Sequence, residues 1–292
     1  MPCPGPIAIL GATSQIARDF VAGAKGYDFH LFGRSGGTQP YSSFGMREYS
    51  AIINFVGVGD PARAKDMGAG IFTITRDFDQ LALDYLKSHP KSRYIFLSSG
   101  AAYGHVFARP VTQDSLARLP LNAVQAQDWY GAAKLYAEML HRSHGGNIID
   151  IRIFNYISRT MDVTSRFLIA DMINAVRDNT VFRTNDRPLM RDFLHPADFR
   201  QMIDTCLAAP DGANLALDCY SRGAISKEDL VKLMAESFGM KFQIVEARDI
   251  VNATGEKPNY YSENHRAAAL GYEPDYSSAS AIREEVAAIL SR

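Results

Sequence analysis

Ile7-Ala8-Ile9-Leu10-Gly11-Ala12-Thr13-Ser14-Gln15-Ile16-Ala17 is the stretch on which the fold turns. Four apolar residues, a glycine and a short polar segment lead into Ile16, Phe20 and Val21 at helical spacing, so a strand, a tight turn and a helix follow one another. That junction turns the N–H groups and positive dipole end of a helix towards the strand end, a setting suited to a pyrophosphate. Of the three glycines that mark a dinucleotide turn only Gly11 is present. Ser14 and Ala17 take the other two places. Ala17 still permits close packing of helix on strand, whereas Ser14 must accept whatever dihedral the turn imposes.

Working outward, residues 29–32, 52–56, 94–97 and 148–153 are further apolar runs of strand length. Helical spacing appears between them, in Ile74, Phe78, Leu81 and Tyr85 and again in Tyr136, Met139 and Leu140. Strands buried on both faces and joined by helices predict an α/β fold, a doubly wound Rossmann parallel sheet. After about residue 155 the rhythm changes. Residues 167–176, 199–207, 227–238 and 281–290 read as helices, with Ser226 and Asp229 a capping-box pair ahead of one of them. The expected division is residues 1–155 as an NADP-binding Rossmann domain. Residues 156–292 then form a smaller mixed α/β substrate-binding lobe, partly interleaved with it.

Composition narrows the partners. The chain has 292 residues, 47% hydrophobic and 22% charged, with a formal net charge of −1, which argues against a nucleic-acid surface or an acidic membrane. No apolar run approaches the roughly 20 residues that span a bilayer. No basic segment precedes a long apolar stretch near the N-terminus, so no secretory signal is expected. Cys3, Cys206 and Cys219 are odd in number and far apart, which suits reduced thiols in the cytoplasm and no metal site.

The second strand indicates the cofactor. It ends Leu31-Phe32-Gly33-Arg34-Ser35, and no acidic residue follows until Glu48. A carboxylate there would hold the ribose 2′-hydroxyl of NAD(H), whereas Arg34 and Ser35 suit a 2′-phosphate. NADP(H) is therefore favoured, with NAD(H) the alternative, and Gly11, Thr13, Ser14, Gln15 and Ile16 are the candidates around the pyrophosphate.

Tyr130-Gly131-Ala132-Ala133-Lys134 places a phenol and an ammonium on one helical face. Upstream, the fourth strand ends in Ser98-Ser99-Gly100-Ala101-Ala102-Tyr103-Gly104. Further motifs follow in order: Asn54-Phe55-Val56-Gly57, Arg152-Ile153-Phe154-Asn155, Arg191-Asp192-Phe193-Leu194-His195, and Lys257-Pro258-Asn259-Tyr260 ahead of Leu270-Gly271. Together they resemble the extended short-chain dehydrogenase/reductase superfamily, in its nucleotide-sugar epimerase, dehydratase and reductase branch. The resemblance implies Ser99 as the catalytic Ser/Thr, Tyr130 as acid/base and Lys134 as its partner. It also implies Phe55, Val56 and Gly57, with Tyr130 and Lys134, against the cofactor. Gly100, Ala101, Asn155 and Arg191 would face a nucleotide-diphosphate sugar, with Arg191 on the diphosphate.

Physical chemistry gives these residues the same roles. A free phenol has a pKa near 10, and a nearby ammonium together with the cationic nicotinamide would draw it towards neutrality. Ser99 would hold the reacting oxygen beside it.

Dehydratases of the branch carry Asp-Glu after the catalytic Ser/Thr, where this chain has Gly100-Ala101. Epimerase-reductases pair a Cys with a His, and no cysteine lies between Cys3 and Cys206. An NADPH-dependent reductase of a keto sugar, most simply at C4, remains first. A C4 epimerase is the alternative, and a non-catalytic NADP-sensing protein a further one. A homodimer would pair the helix carrying Ile74, Phe78 and Tyr85 with that carrying Tyr136, Met139 and Leu140. His195 is expected to be structural, and Tyr260 and Tyr261 to be packing residues. Between Arg34 and Ala51 the chain is short for a strand-helix-strand unit, so a trimmed adenine side is expected. The Ser99 to Tyr130 interval is long for the branch and predicts a small insertion over the site.

Overall fold

A computed structural model describes residues 5–34, 36–58, 64, 66–246 and 257–292. Along the chain run β1 (Ile7–Leu10), α1 (Gln15–Gly23), β2 (Phe29–Phe32), β3 (Ala51–Asn54), α2 (Gly70–Ser88), β4 (Arg93–Ser99), α3 (Asp128–His144) and β5 (Ile148–Ile153). Then come β6 (Asn155–Tyr156), α4 (Leu168–Arg177), β7 (Val181–Thr184), β8 (Met190–Arg191), β9 (Phe193–Leu194), α5 (Pro196–Ala208) and β10 (Asn214–Cys219). The last elements are β11 (Ile225–Ser226), α6 (Lys227–Phe238), β12 (Lys241–Ile244), β13 (Asn259–Tyr260) and α7 (Ser278–Leu290).

Six strands form one parallel sheet in the order β10-β5-β4-β3-β1-β2. The two-residue period of β1 sends Ile7 and Ile9 into a core with Ala17, Phe20, Phe199 and Met202 on one face. It sends Ala8 and Leu10 into a second core with Ile52, Tyr94, Phe96 and Leu83 on the other. Helices α1 and α5 cover the first face, α2 and α3 the second. The fold is therefore the predicted doubly wound one. β10 comes from the second half of the chain and closes the sheet beside β5.

Between β2 and β3 the chain forms only a short 3₁₀ turn, Tyr41–Met46, in place of a helix and a further strand. The trimming expected there is present, and β2 is the sheet edge. A third core, built from α4, α6 and α7 around Ile173, Leu230, Met234 and Ile282, belongs to the second half. Ser226 caps α6 by accepting from Asp229 N, but the Asp229 carboxylate bonds the Ser226 hydroxyl instead of its backbone, so the reciprocal half of the box is missing. The full box forms at α7, between Ser277 and Ser280. Among the described residues no helix is long and apolar enough to cross a membrane.

Candidate active site

In this sheet order β1 leads outward to β2 on one side, while β3 lies on the other, which opens a crevice beyond the carboxyl ends of β1 and β3. Gly11 ends β1 there with φ +74°, and a Cβ at this position would stand 2.8 Å from the Val56 nitrogen and 2.9 Å from the Phe55 carbonyl carbon. Glycine is thus required twice over, for dihedral and for space. Ser14 has an ordinary extended conformation, φ −67° and ψ 153°, and caps α1 by accepting from Ala17 N at 3.4 Å. Loss of the second fingerprint glycine therefore causes no strain, because that residue has become an N-cap. Ala17 is fully buried, as close helix-to-strand packing demands. Gln15 reaches across to Ser158 Oγ at 2.9 Å, and Thr13 faces solvent. On the adenine side Arg34 is exposed, with its guanidinium 5.8 Å from the Phe78 ring centre, and Phe78 meets Tyr41 edge-on at 4.6 Å. Ser35 lies outside the described residues. The close Gly11 turn and capped first turn of α1, with Arg34 beyond β2, fit a dinucleotide.

The catalytic candidates meet where β4 ends against α3. Gly131 makes the approach possible: a Cβ there would collide with the Ala101 carbonyl oxygen, and one on Gly100 would lie 2.5 Å from the Phe154 ring. Lys134 is buried. Its Nζ donates to the Leu97 carbonyl at 2.6 Å and lies 4.3 Å from the Phe96 ring centre and 5.9 Å from that of Tyr130. The ammonium therefore meets Tyr130 at its ring, not through a hydrogen bond to its hydroxyl. Burial lowers its pKa to about 8, opposed by the Asp79, Glu138 and Asp150 carboxylates. In the chain by itself burial also lifts the Tyr130 phenol above its ordinary value, and the hydrogen bond with Ser99 pulls it back. The lowered phenol expected from sequence is thus opposed by desolvation. Gly57 sits beside Lys134, since a Cβ there would be 3.6 Å from Nζ, and Asn54 Oδ1 accepts from Val56 N at 2.9 Å to shape this loop.

Ser99 Oγ accepts from Ala101 N at 3.1 Å and lies 3.2 Å from Tyr260 Oη. Tyr260 packs on Phe107 and Phe154 as expected, and its hydroxyl also reaches Ser99, a contact the packing reading did not include. β13 carries it there by pairing in parallel with β8, which sets Tyr260 opposite Arg191. The long interval after Ser99 packs on this same strand: Asn259 N donates to the Phe107 carbonyl, and Asn259 Nδ2 to that of Ala108.

Arg191 is 9% exposed and spends Nη1 on two carbonyls, Met190 at 2.8 Å and Lys257 at 2.7 Å. Burial lowers its pKa to about 10. Lys257 is lowered to about 8, by burial and then by the Arg191 charge. Among the described residues no carboxylate forms an ion pair with either group. Arg191 is buried and Lys257 half-buried, and their mutual repulsion, opposed at Lys257 by the Asp128 charge, makes a site that an anion would relieve. Lys257 was absent from the predicted contacts, and its only sequence signal was its place at the head of the Lys257-Pro258-Asn259-Tyr260 motif. Asn155 directs its amide onto the Asp192 carbonyl at 2.9 Å, which ties β6 to the strand beyond Arg191.

Other side chains resolve into supports. His195 caps α5 through Nδ1, with Nε2 on Glu285 at 3.2 Å, a structural role as expected. Cys206 and Cys219 are buried; burial pushes the Cys206 thiol up to about 12 and that of Cys219 well above its ordinary value. Cys3 lies outside the described residues. Of the helix-pair face drawn from sequence, Tyr85 packs into the core against Phe44 and Tyr49, whereas half-buried Phe78 meets Tyr41 at its edge. Behind the site runs a buried polar chain with no sequence signal: His141 lies between Asp150, 2.6 Å from Nδ1, and Asp79, 2.7 Å from Nε2, and Tyr94 joins Asp79 to Asn54.

Comparison with known proteins agrees with this fold. Residues 42–216 match the model of the NAD dependent epimerase/dehydratase family; the Gly11 turn and Arg34 precede the matched stretch. No curated protein matches by sequence. Among solved structures, the UDP-glucose 4-epimerase of Thermotoga maritima with UDP-glucose superposes with a TM-score of 0.80 at 16% identity, covering 98% of this chain and 99% of that one. RMD from Pseudomonas aeruginosa complexed with NADPH gives 0.77 at 18% identity, over 99% and 100%. The dTDP-glucose 4,6-dehydratase of Bacillus anthracis in complex with NAD gives 0.77 at 14%, over 98% and 97%.

Proposed function

The chain belongs to the NAD dependent epimerase/dehydratase family, and on that premise we propose that it is an NADPH-dependent reductase of a nucleotide-diphosphate keto sugar, acting at the C4 carbonyl. The observation that carries this reading is the pair of cations, buried Arg191 and half-buried Lys257, that flank the ring of Tyr260, whose hydroxyl meets Ser99. A diphosphate held by those cations would bring the attached sugar to an acid/base. Residues 1–155 would hold the cofactor and residues 156–292 most of the substrate.

Gly11, Thr13, Ser14, Gln15 and Ile16 would line the pyrophosphate, Arg34 and Ser35 the 2′-phosphate, and Phe55, Val56 and Gly57 the nicotinamide side. When bound, NADPH supplies the hydride. The chain contributes the proton and the geometry. Tyr130 Oη gives its proton to the carbonyl oxygen, and the phenolate left behind is stabilised by the Ser99 hydroxyl and the Lys134 ammonium. Ser99 with the backbone at Gly100 and Ala101 fixes the oxygen, and Asn155 and Arg191 fix the diphosphate. The cytoplasm, with its reduced thiols, is the setting this reading implies. Tyr136 and Met139, exposed on α3, would be the centre of a homodimer contact.

Arg34 favours a reductase that exchanges NADPH over an epimerase that retains NAD. Arg34→Ala is expected to weaken NADPH binding roughly ten- to a hundredfold, the range of a lost charge-assisted hydrogen bond, with NADH little changed. Cofactor titrations check this, and an unaltered preference would remove Arg34 from the site. The function itself is tested with a panel of NDP-4-keto-6-deoxy sugars and NADPH, followed at the reduced-nicotinamide band. Oxidation of NADPH supports the reductase. Interconversion of NDP-hexoses without added cofactor would replace it by a C4 epimerase, and tight NADPH binding with no turnover by an NADP sensor.

A further inference from the structure

We propose that Tyr260 is a positioning residue for Ser99, holding the serine hydroxyl in the orientation that donates to Tyr130. The assignment rests on reading Ser99 and Tyr130 as the acid/base pair. A serine hydroxyl has one proton and two lone pairs. Ala101 N–H takes one lone pair at 3.1 Å, and Tyr260 Oη stands at 3.2 Å, able to take the second. With both lone pairs occupied, the Ser99 proton has one direction left, towards Tyr130.

Tyr260 is suited to be a constant donor. Burial holds its phenol well above the ordinary range, against the pull of the Ser99 hydrogen bond and with the Tyr130 charge adding to the rise, which favours its protonated form. Its ring is fixed edge-on by Phe107 at 4.8 Å and Phe154 at 5.3 Å. Its backbone is fixed by the register of β13 on β8, Asn259 opposite Met190 and Tyr260 opposite Arg191. The Lys257 ammonium lies 5.0 Å and the Arg191 guanidinium carbon 5.8 Å from the ring centre. One residue therefore stands beside both cations through its ring and beside Ser99 through its hydroxyl, so a diphosphate seated on those cations would bear on the serine that holds Tyr130.

The groups that bear on the Tyr130 phenol are Lys134 from α3, Ser99 from β4 and Tyr260 from β13, with Arg191 and Lys257 behind Tyr260. The test is an ultraviolet tyrosinate titration of the full chain, with Tyr130 read as the difference between each protein and its Tyr130→Phe counterpart. In Tyr260→Phe the Tyr130 phenol is expected to titrate about one pH unit higher, the weight of a weakened hydrogen bond to a charged oxygen. In Ser99→Ala the same tyrosine substitution should move nothing, because its effect passes through Ser99. Tyr130 titrating at one pH with and without the Tyr260 hydroxyl overturns the proposal, and so does an equal displacement in both backgrounds. Should Tyr260→Phe fold poorly, Ser99→Ala alone decides, since a Tyr130 titration unmoved by it leaves Tyr260 nothing to act through. No sugar turnover is needed: a protein that shows the displacement but reduces none of the panel would contradict the reductase and leave this assignment standing.

Discussion

Tyr130→Phe is expected to bind the cofactor like the wild-type chain and to lose at least about a hundredfold in turnover, the usual weight of a general acid. The substitution removes one oxygen and leaves the ring, so packing against Trp129 and Ile71 is retained. What disappears is the phenol proton assigned to the carbonyl, while the phenol of Tyr260 is engaged with Ser99. Ser99 is an alcohol with its lone pairs engaged, and the Lys134 ammonium is turned onto the Leu97 carbonyl, 5.9 Å from the Tyr130 ring. Steady-state kinetics and a cofactor titration on the same preparation check this. Near-normal turnover would move the acid/base role elsewhere, and loss of cofactor binding would make Tyr130 a binding residue instead.

The largest effect on stability is expected behind the site. His141 is fully buried between Asp79 and Asp150; burial pulls its imidazole down, but the two carboxylates win and hold it up at about 9. His141→Leu leaves Asp79 and Asp150 in the core without the cation between them, Asp79 keeping Tyr94 and Asp150 keeping Arg142. Breaking a buried ionic set in this way costs roughly 3–5 kcal/mol, measurable by equilibrium denaturation in urea. The pH dependence has a definite sign. Because the folded pKa is raised, the stabilisation is fully present below the ordinary histidine value near 6.5 and is lost as pH rises through about 9. The wild-type advantage over His141→Leu should shrink across that window. An advantage that grows with pH would mean that His141 is neutral in the native chain.

Much of the frame could be read from sequence because its signals are local. Alternation in β1 buried both faces of a strand, Gly11 announced a turn that only glycine can make, and the spacing of Tyr130 and Lys134 fixed a shared helix face. The parts that escaped depend on contacts between distant segments. β8 and β13 have two residues each, too few for any period, yet their pairing brings Tyr260 to a serine 161 positions away. Lys257 gains its character from standing half-buried beside Arg191, and His141 from carboxylates on α2 and β5, none of which a local pattern reports. Tyr85 and Phe78 show the converse: their helical stripe is real, but Tyr85 and part of Phe78 pack on the trimmed Tyr41–Met46 turn and the residues after it, where a full strand-helix unit is missing.

The central claim is that hydride leaves NADPH for good and ends on the sugar. The most direct measurement uses NADPH deuterated at the transferable C4 position with an NDP-4-keto-6-deoxyhexose, followed by mass spectrometry of the nucleotide sugar. The expected result is one deuterium retained at sugar C4 for each NADP⁺ formed. An unlabelled sugar, or inversion at C4 with no net formation of NADP⁺, would contradict it.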